Sequence, residues 1–170
     1  MGSEVTSRPT IQRLREVLAY DPITGVLRWA RRTSPHQNAR LLGQRAGWFA
    51  EGRYHLEIDG KNLFAAVVAW AHSSGAWPTK EIDHVNGDPG DDRLINLREA
   101  THAQNQANRR KGLHSVQKGV KRSRSGNRWE ARLIVNQSYR HLGTFDTPEE
   151  AHRAYRIAAT AAFGEFARFE

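Results

Sequence analysis

The chain has 170 residues, room for one ordinary domain or two small ones, and its 38% hydrophobic content points to a divided or thin core. Cysteine is absent, which excludes disulfides and thiolate zinc sites, and no apolar run nears the ~20 residues that cross a bilayer. The net charge of +8 is unevenly placed: between Thr101 and His141 ten Lys or Arg meet one acid, Glu130, for +9, while the remaining 16 bases and 17 acids give −1.

Residues 1–9 are polar and read as a loose tip without a secretory signal pattern. Thr10 caps a helix that places Ile11, Leu14, Val17 and Leu18 on one face. Tyr20–Gly25 stops it with turn chemistry, and Val26–Trp29 reads as a strand. Residues 31–40 lack periodicity and read as a loop. Three short strands are expected over Arg45–Ala50, Arg53–Ile58 and Asn62–Ala65, the last two joined by the hairpin signal Asp59-Gly60. Ala65–His72 is small and apolar, a helix ending before Gly75, with Trp70 and Trp77 as core anchors.

The stretch Lys80–Arg110 carries the chemistry. Lys80–His84 reads as a strand and Leu97–Ala100 as a second one, antiparallel to it. Thr101 caps the next helix, with Gln104 completing a capping box. The eleven residues between the strands, Val85–Ile95, form a loop long enough to suggest function. Phosphodiester cleavage needs a base, a cation and stabilisation of the leaving oxygen. His84 suits the base, since imidazole titrates near neutrality, and Asp83 with a carboxamide suits a hard cation such as Mg²⁺. Neighbouring strand residues face opposite ways, so Asp83 and His84 share a site only if the strand ends there, and Asn86-Gly87 supplies the bend. Asp88, Asp91 and Asp92 read as turn and solvation residues.

Beyond a basic hinge at 111–117, three strands are expected over Lys118–Ser123, Arg128–Val135 and Ser138–Thr144, with turns at Ser125-Gly126-Asn127 and Asn136-Gln137. Trp129, Ala131, Leu133 and Val135 share one side of the middle strand, and Glu130 and Arg132 the other. Thr147, Pro148 and Glu150 open a final helix with Ala151, Ala154, Tyr155, Ala158 and Ala162 as its apolar stripe and Gly164 as its stop. Trp129, Leu142, Phe145, Phe163 and Phe166 read as core. One face of this sheet is covered and the other is open and basic, the footprint of a polyanion-binding surface.

The texts IDHVNGD (82–88), RLINLR (93–98) and THAQNQANR (101–109) resemble the HNH nucleases, whose ββα-metal fold is a two-stranded ribbon and a helix around a metal. The resemblance implies His84 as general base, Asn96 as a loop-fixing residue, and Asp83 and Asn105 as ligands of Mg²⁺ or another divalent ion such as Mn²⁺. His102, on the same helix face as Asn105, is the alternative ligand but reads more simply as a surface residue. Residues 10–78, with YDPITGVLRW and a DGK hairpin, are similar to the N-terminal part of phage, homing-associated HNH proteins. Those commonly open the following helix with His-Arg, where this chain has Ala66 and Val67.

KGVKRSRSGNRWEARL, HLGTFDTPEEAHRAY and FGEFARF resemble the DNA-binding domain of plant APETALA2/ethylene-response factors, which is also attached to phage HNH nucleases. That resemblance implies Lys118, Lys121, Arg132, Tyr139 and His141 as DNA-facing. The plant pattern has Arg at the first two positions and at Tyr139, and Trp at His141, so the plant target is not carried over. Arg109 and Arg110 extend the basic track towards the helix with Asn105.

The expected architecture is α+β: a loose tip at 1–9, a nuclease domain at 10–110 with its ββα core at about 78–110, a hinge at 111–117, and a DNA-binding domain at 118–170 with a three-stranded antiparallel sheet on one helix. The expected function is a homing-type HNH endonuclease acting on double-stranded DNA, nicking one strand, as a monomer or weak dimer, without membrane association. An intracellular, cytoplasmic setting and a phage or mobile-element origin accompany the resemblance. The rival readings are a DNA-binding regulator with a vestigial nuclease fold, and a protein that binds or cleaves RNA.

Overall fold

Thr10 caps α1 (Ile11–Val17) through its hydroxyl oxygen, which accepts the Arg13 amide hydrogen at 3.1 Å. The computed structural model describes residues 8–33, 39–112, 116–135 and 137–170. Residues 1–7 of the expected tip, 34–38 of the expected loop, 113–115 of the expected hinge and Asn136 of the expected last turn lie outside the described residues. The chain divides into two compact units, one reaching to Glu99 and one running Ala100–Glu170.

In the first unit α1 stops at Val17, one residue earlier than its apolar pattern suggests. Leu18 starts a strand, β1 (Leu18–Asp21), which pairs antiparallel with β2 (Val26–Trp29). The turn chemistry is confined to Pro22–Gly25, because Tyr20 faces Leu27 and Asp21 faces Val26 across the ladder. The Asp21 carboxylate organises that turn, accepting from Ile23 N at 3.0 Å and Thr24 Oγ1 at 2.6 Å.

Strands β3 (Trp48–Ala50), β4 (Arg53–Ile58) and β5 (Lys61–Phe64) form an antiparallel sheet in that order. Asp59 and Gly60 join the last two with φ of 50° and 73°, the doubly positive pair that a tight hairpin demands. Helix α2 (Ala65–Ser74) ends at left-handed Gly75 and buries Ala65, Ala66, Val68, Ala69 and Ala71. Ala66 is thus part of the core. That core gathers Leu14, Val17, Leu18, Leu56, Ile58 and Val68, all essentially inaccessible to solvent. Trp70 and Trp77 pack on it while half-buried, and Trp77 donates its indole hydrogen to the Pro9 carbonyl at 3.0 Å. Strands β6 (Glu81–His84) and β7 (Leu97–Ala100) pair as a two-stranded sheet, with a 3₁₀ turn at Leu94–Asn96 leading into β7.

The second unit starts with α3 (His102–Asn108), closed at its N-terminus by the expected Thr101–Gln104 capping box. Strands β8 (Val120–Arg122), β9 (Trp129–Val135) and β10 (Ser138–Phe145) form an antiparallel sheet with β9 in the centre. Helix α4 (Pro148–Phe163) carries its own capping box, Thr147 with Glu150, and buries Ala151, Tyr155, Ala159 and Phe163. The stripe therefore includes Ala159 in place of the expected Ala162, which is exposed. Gly119, with φ of +75°, passes flush against α4: a Cβ there would lie 2.0 Å from Tyr155 Cδ2.

The second compact unit begins at Ala100, inside the expected 10–110 domain, and α3 belongs to it. At seven residues α3 is too short to hold itself together in water. Ala107 packs in one cluster with Leu133, Tyr155 and Phe163, and its carbonyl accepts from Arg168 N at 3.4 Å. Lys111 N donates to the Glu170 carbonyl at 3.2 Å. Four helices and four small sheets among the described residues make a mixed α/β chain compatible with the α+β class.

Candidate functional site

Strand β6 ends on Asp83-His84, and the chain turns at once: Gly87 N donates to the His84 carbonyl at 2.7 Å, with φ of +67° at Gly87. The two side chains are held by different elements. Asp83, 4% exposed, accepts at Oδ2 from Arg98 Nε on β7 at 2.9 Å. His84 Nε2 lies 3.0 Å from Asp92 Oδ1 in the loop, the two side chains being 13% and 1% exposed.

Asn96 fixes the loop. Its Oδ1 accepts from Asn86 N at 2.9 Å, and its Nδ2 donates to the Asp91 carbonyl at 2.8 Å and to Asn86 Oδ1 at 3.1 Å. Its own carbonyl accepts from Val85 N at 2.8 Å. One buried carboxamide thereby ties both ends of the loop, so the chain between the two strands is built rather than slack. Asp88 and Asp91 serve the turns as expected: Asp88 Oδ1 accepts from Gly90 N at 2.9 Å, and Asp91 accepts from both Nε and Nη2 of Arg93 at 2.7 Å. The Arg93 guanidinium, foremost through its hydrogen bonds, pulls the Asp91 carboxyl down to about 2.

Asp92 departs from the sequence reading. It is buried rather than solvating the loop, and it partners His84. Among the described residues its Oδ2 is buried without a hydrogen-bond partner. Arg98, the partner of Asp83, also escaped the sequence reading, although its place on a strand facing β6 was a usable signal.

Carboxylate and carboxamide oxygens are the donors that Mg²⁺ takes, and Mg²⁺ commonly uses one or two carboxylates with water and phosphate oxygens. Among the described residues no group of three or more His, Cys, Asp or Glu is placed to hold a metal. Asp83 offers a carboxylate of the kind such a cation takes, with its Oδ2 engaged by Arg98. Asn105 stands half-buried on α3 in the second unit, and His102 is exposed there with its Nε2 3.5 Å from Gln106 Nε2.

The HNH endonuclease family model matches residues 64–107. No curated protein matches the chain. The HNH match takes in α2, the Asp83-His84 strand end, the whole loop, β7 and most of α3. The β8–β10 sheet and α4 lie beyond it.

In the second unit Arg109, Arg110, Lys111 and Arg132 line one concave surface with His102 and Gln106 of α3. Lys121, Tyr139 and His141 are exposed, Tyr139 by 73%. Across the open face Lys121 pairs with Glu130, Arg132 with His141, and Ile134 with Tyr139. Arg132 Nε donates to Glu130 Oε2 at 3.0 Å, and Ile134, 52% exposed, sets an apolar spot beside Tyr139. Lys118 differs from expectation. Its ammonium does not project from the open face but donates to the carbonyls of Ala107 and Arg109, capping the C-terminus of α3. Burial pushes its pKa down to about 8.

Proposed function

We propose that the chain is a divalent-metal-dependent endonuclease that hydrolyses phosphodiester bonds of double-stranded DNA, cutting one strand per site. The observation that carries this reading is His84, held against the buried Asp92 at the end of β6 inside the segment that matches the HNH endonucleases. His84 takes a proton from the attacking water. The water oxygen bonds to phosphorus, the bond from phosphorus to the 3′ oxygen breaks, and that oxygen leaves with a proton from solvent. This leaves a 5′-phosphate and a 3′-hydroxyl.

Asp83 would hold the cation, together with Asn105, which enters this reading by its place in the sequence pattern. A bound divalent ion supplies positive charge against the phosphate and the leaving oxygen. Asn96 keeps the loop, and so His84, in register.

The second unit supplies DNA affinity and site preference. Its net charge is +7, from 13 Lys or Arg against six acids, whereas the first unit carries 13 against 12. A basic antiparallel ribbon suits the major groove. Lys121, Arg132, Tyr139 and His141 are the contacts from the open face, with Arg109 and Arg110 on the concave side. Glu130 occupies Arg132 in the free protein, so DNA binding exchanges that partner for phosphate or a base edge.

Supercoiled plasmid with Mg²⁺ tests the reading. The unaltered chain converts it to the nicked form, a chelator stops the reaction, and His84→Ala leaves only a small residual rate. Equal cleavage by both chains would sink the mechanism. Salt-sensitive DNA binding without cleavage would favour a regulator with a vestigial nuclease fold.

A further inference from the structure

Two contacts converge on the backbone of Asp92 from the β1–β2 hairpin, a part of the chain remote in sequence from the loop. Tyr20 on β1 donates its hydroxyl hydrogen to the Asp92 carbonyl at 2.8 Å. Burial, aided by the Asp92 charge, pushes that hydroxyl up to about 12, so it remains a donor throughout the neutral range. Gly25, with φ of +72°, closes the hairpin turn directly against the same peptide: a Cβ there would lie 2.5 Å from Arg93 N and 2.6 Å from Asp92 C. Only a glycine allows that approach.

Asp92 then passes the constraint to His84. His84 Nε2 lies 3.0 Å from Asp92 Oδ1 with both side chains largely buried, so a shift of Asp92 carries the imidazole with it. The burial of Asp92 is expensive, because Oδ2 has no hydrogen-bond partner among the described residues. A carboxylate buried at that cost has, among the described residues, its Oδ1 contact with His84 as its one side-chain partner.

We infer that the β1–β2 hairpin positions the general base: Tyr20 and Gly25 fix Asp92, and Asp92 fixes the imidazole of His84. The inference rests on the nuclease reading for its rates, but not for its geometry. Tyr20, Gly25 and Asp92 are positioning residues that touch no substrate.

The test uses the full chain with single-turnover plasmid nicking in Mg²⁺, thermal midpoints, and nitrogen-15 shifts of the His84 ring. The ring shifts should move in Asp92→Leu and, by less, in Tyr20→Phe. Asp92→Leu should lower the rate about 100-fold, and Asp92→Asn, which keeps an acceptor, less, with substrate affinity unchanged. Tyr20→Phe should lower it several-fold and add little in an Asp92→Leu background. In a His84→Ala background none of these changes should alter the residual rate. Gly25→Ala should behave as Tyr20→Phe, and if it does not fold, Tyr20→Phe carries the test.

Loss by the same factor with and without His84 would overturn the inference, because the effect would then be general to the fold. So would His84 ring shifts that stay unchanged in Asp92→Leu. Failure of the unaltered chain to cleave, with the His84 ring shifts still moved by Asp92→Leu, would instead remove the nuclease reading and leave the positioning geometry standing.

Discussion

Arg98 on β7 and Asp83 on β6 form a buried ion pair, Nε to Oδ2 at 2.9 Å, with side chains 15% and 4% exposed. Taking one partner from such a pair strands the other in a poor solvent. Arg98→Met should lower the unfolding free energy by about 3 kcal/mol, and Asp83→Asn in the same chain should recover part of it. Urea unfolding followed by tryptophan fluorescence measures this, since four of the five tryptophans lie in the first unit.

Asn96 makes the second prediction. Asn96→Ala leaves the Asn86 amide hydrogen and the Asp91 carbonyl without their side-chain partner, a cost of about 2–3 kcal/mol confined to the loop. Hydrogen exchange at Asn86 should accelerate far more than at β4 or α2. Cleavage should fall with it, because the loop carries Asp92.

The sheet module offers a pH test. Lys118 has a folded pKa near 8 against the free value of 10.5. Below about pH 8 the lysine is charged in both folded and unfolded chains, and the burial penalty is present in full. Between about 8 and 10.5 the folded protein sheds the proton first, so stability rises with pH. The neutral amine still donates hydrogen bonds to the carbonyls that end α3. Relative to Lys118→Met, the unaltered chain should therefore gain stability from about pH 8 to 10, read by urea unfolding at each pH.

DNA binding separates two lysines that look alike in sequence. Lys121 is exposed on the open face, whereas the Lys118 ammonium is engaged by backbone carbonyls. Lys121→Ala should weaken binding to all duplexes and reduce the slope of log affinity against log salt by about 1. Lys118→Met should change the slope by much less while lowering stability. Filter binding across a salt series distinguishes them.

Local chemistry made much of this legible. Strands β4 and β7 occupy the residues their patterns mark, and the caps at Thr10, Thr101 and Thr147 all form. Each depends on neighbours within four positions. Strand β1 was hidden, because Leu18 satisfies the helical spacing of α1 as well as the pairing with Trp29. Asp92 was hidden among three loop aspartates, since nothing local distinguishes the one that is buried. Lys118 was misread for a related reason: a lysine at the edge of a strand can turn either way, and the carbonyls that decide lie nine and eleven residues upstream.

The membership of α3 bears on how such a protein could be inherited in parts. The HNH match runs to residue 107, but α3 packs on Leu133, Tyr155 and Phe163 and receives Lys118 and Arg168 at its final carbonyls. A gene break after residue 110 would deliver the whole HNH-matching segment with its last helix stripped of support. A break before Ala100 would carry Asn105 away with the basic sheet. The sequence motif and the folding unit therefore overlap without coinciding, and recombination cannot exchange one without rebuilding the other.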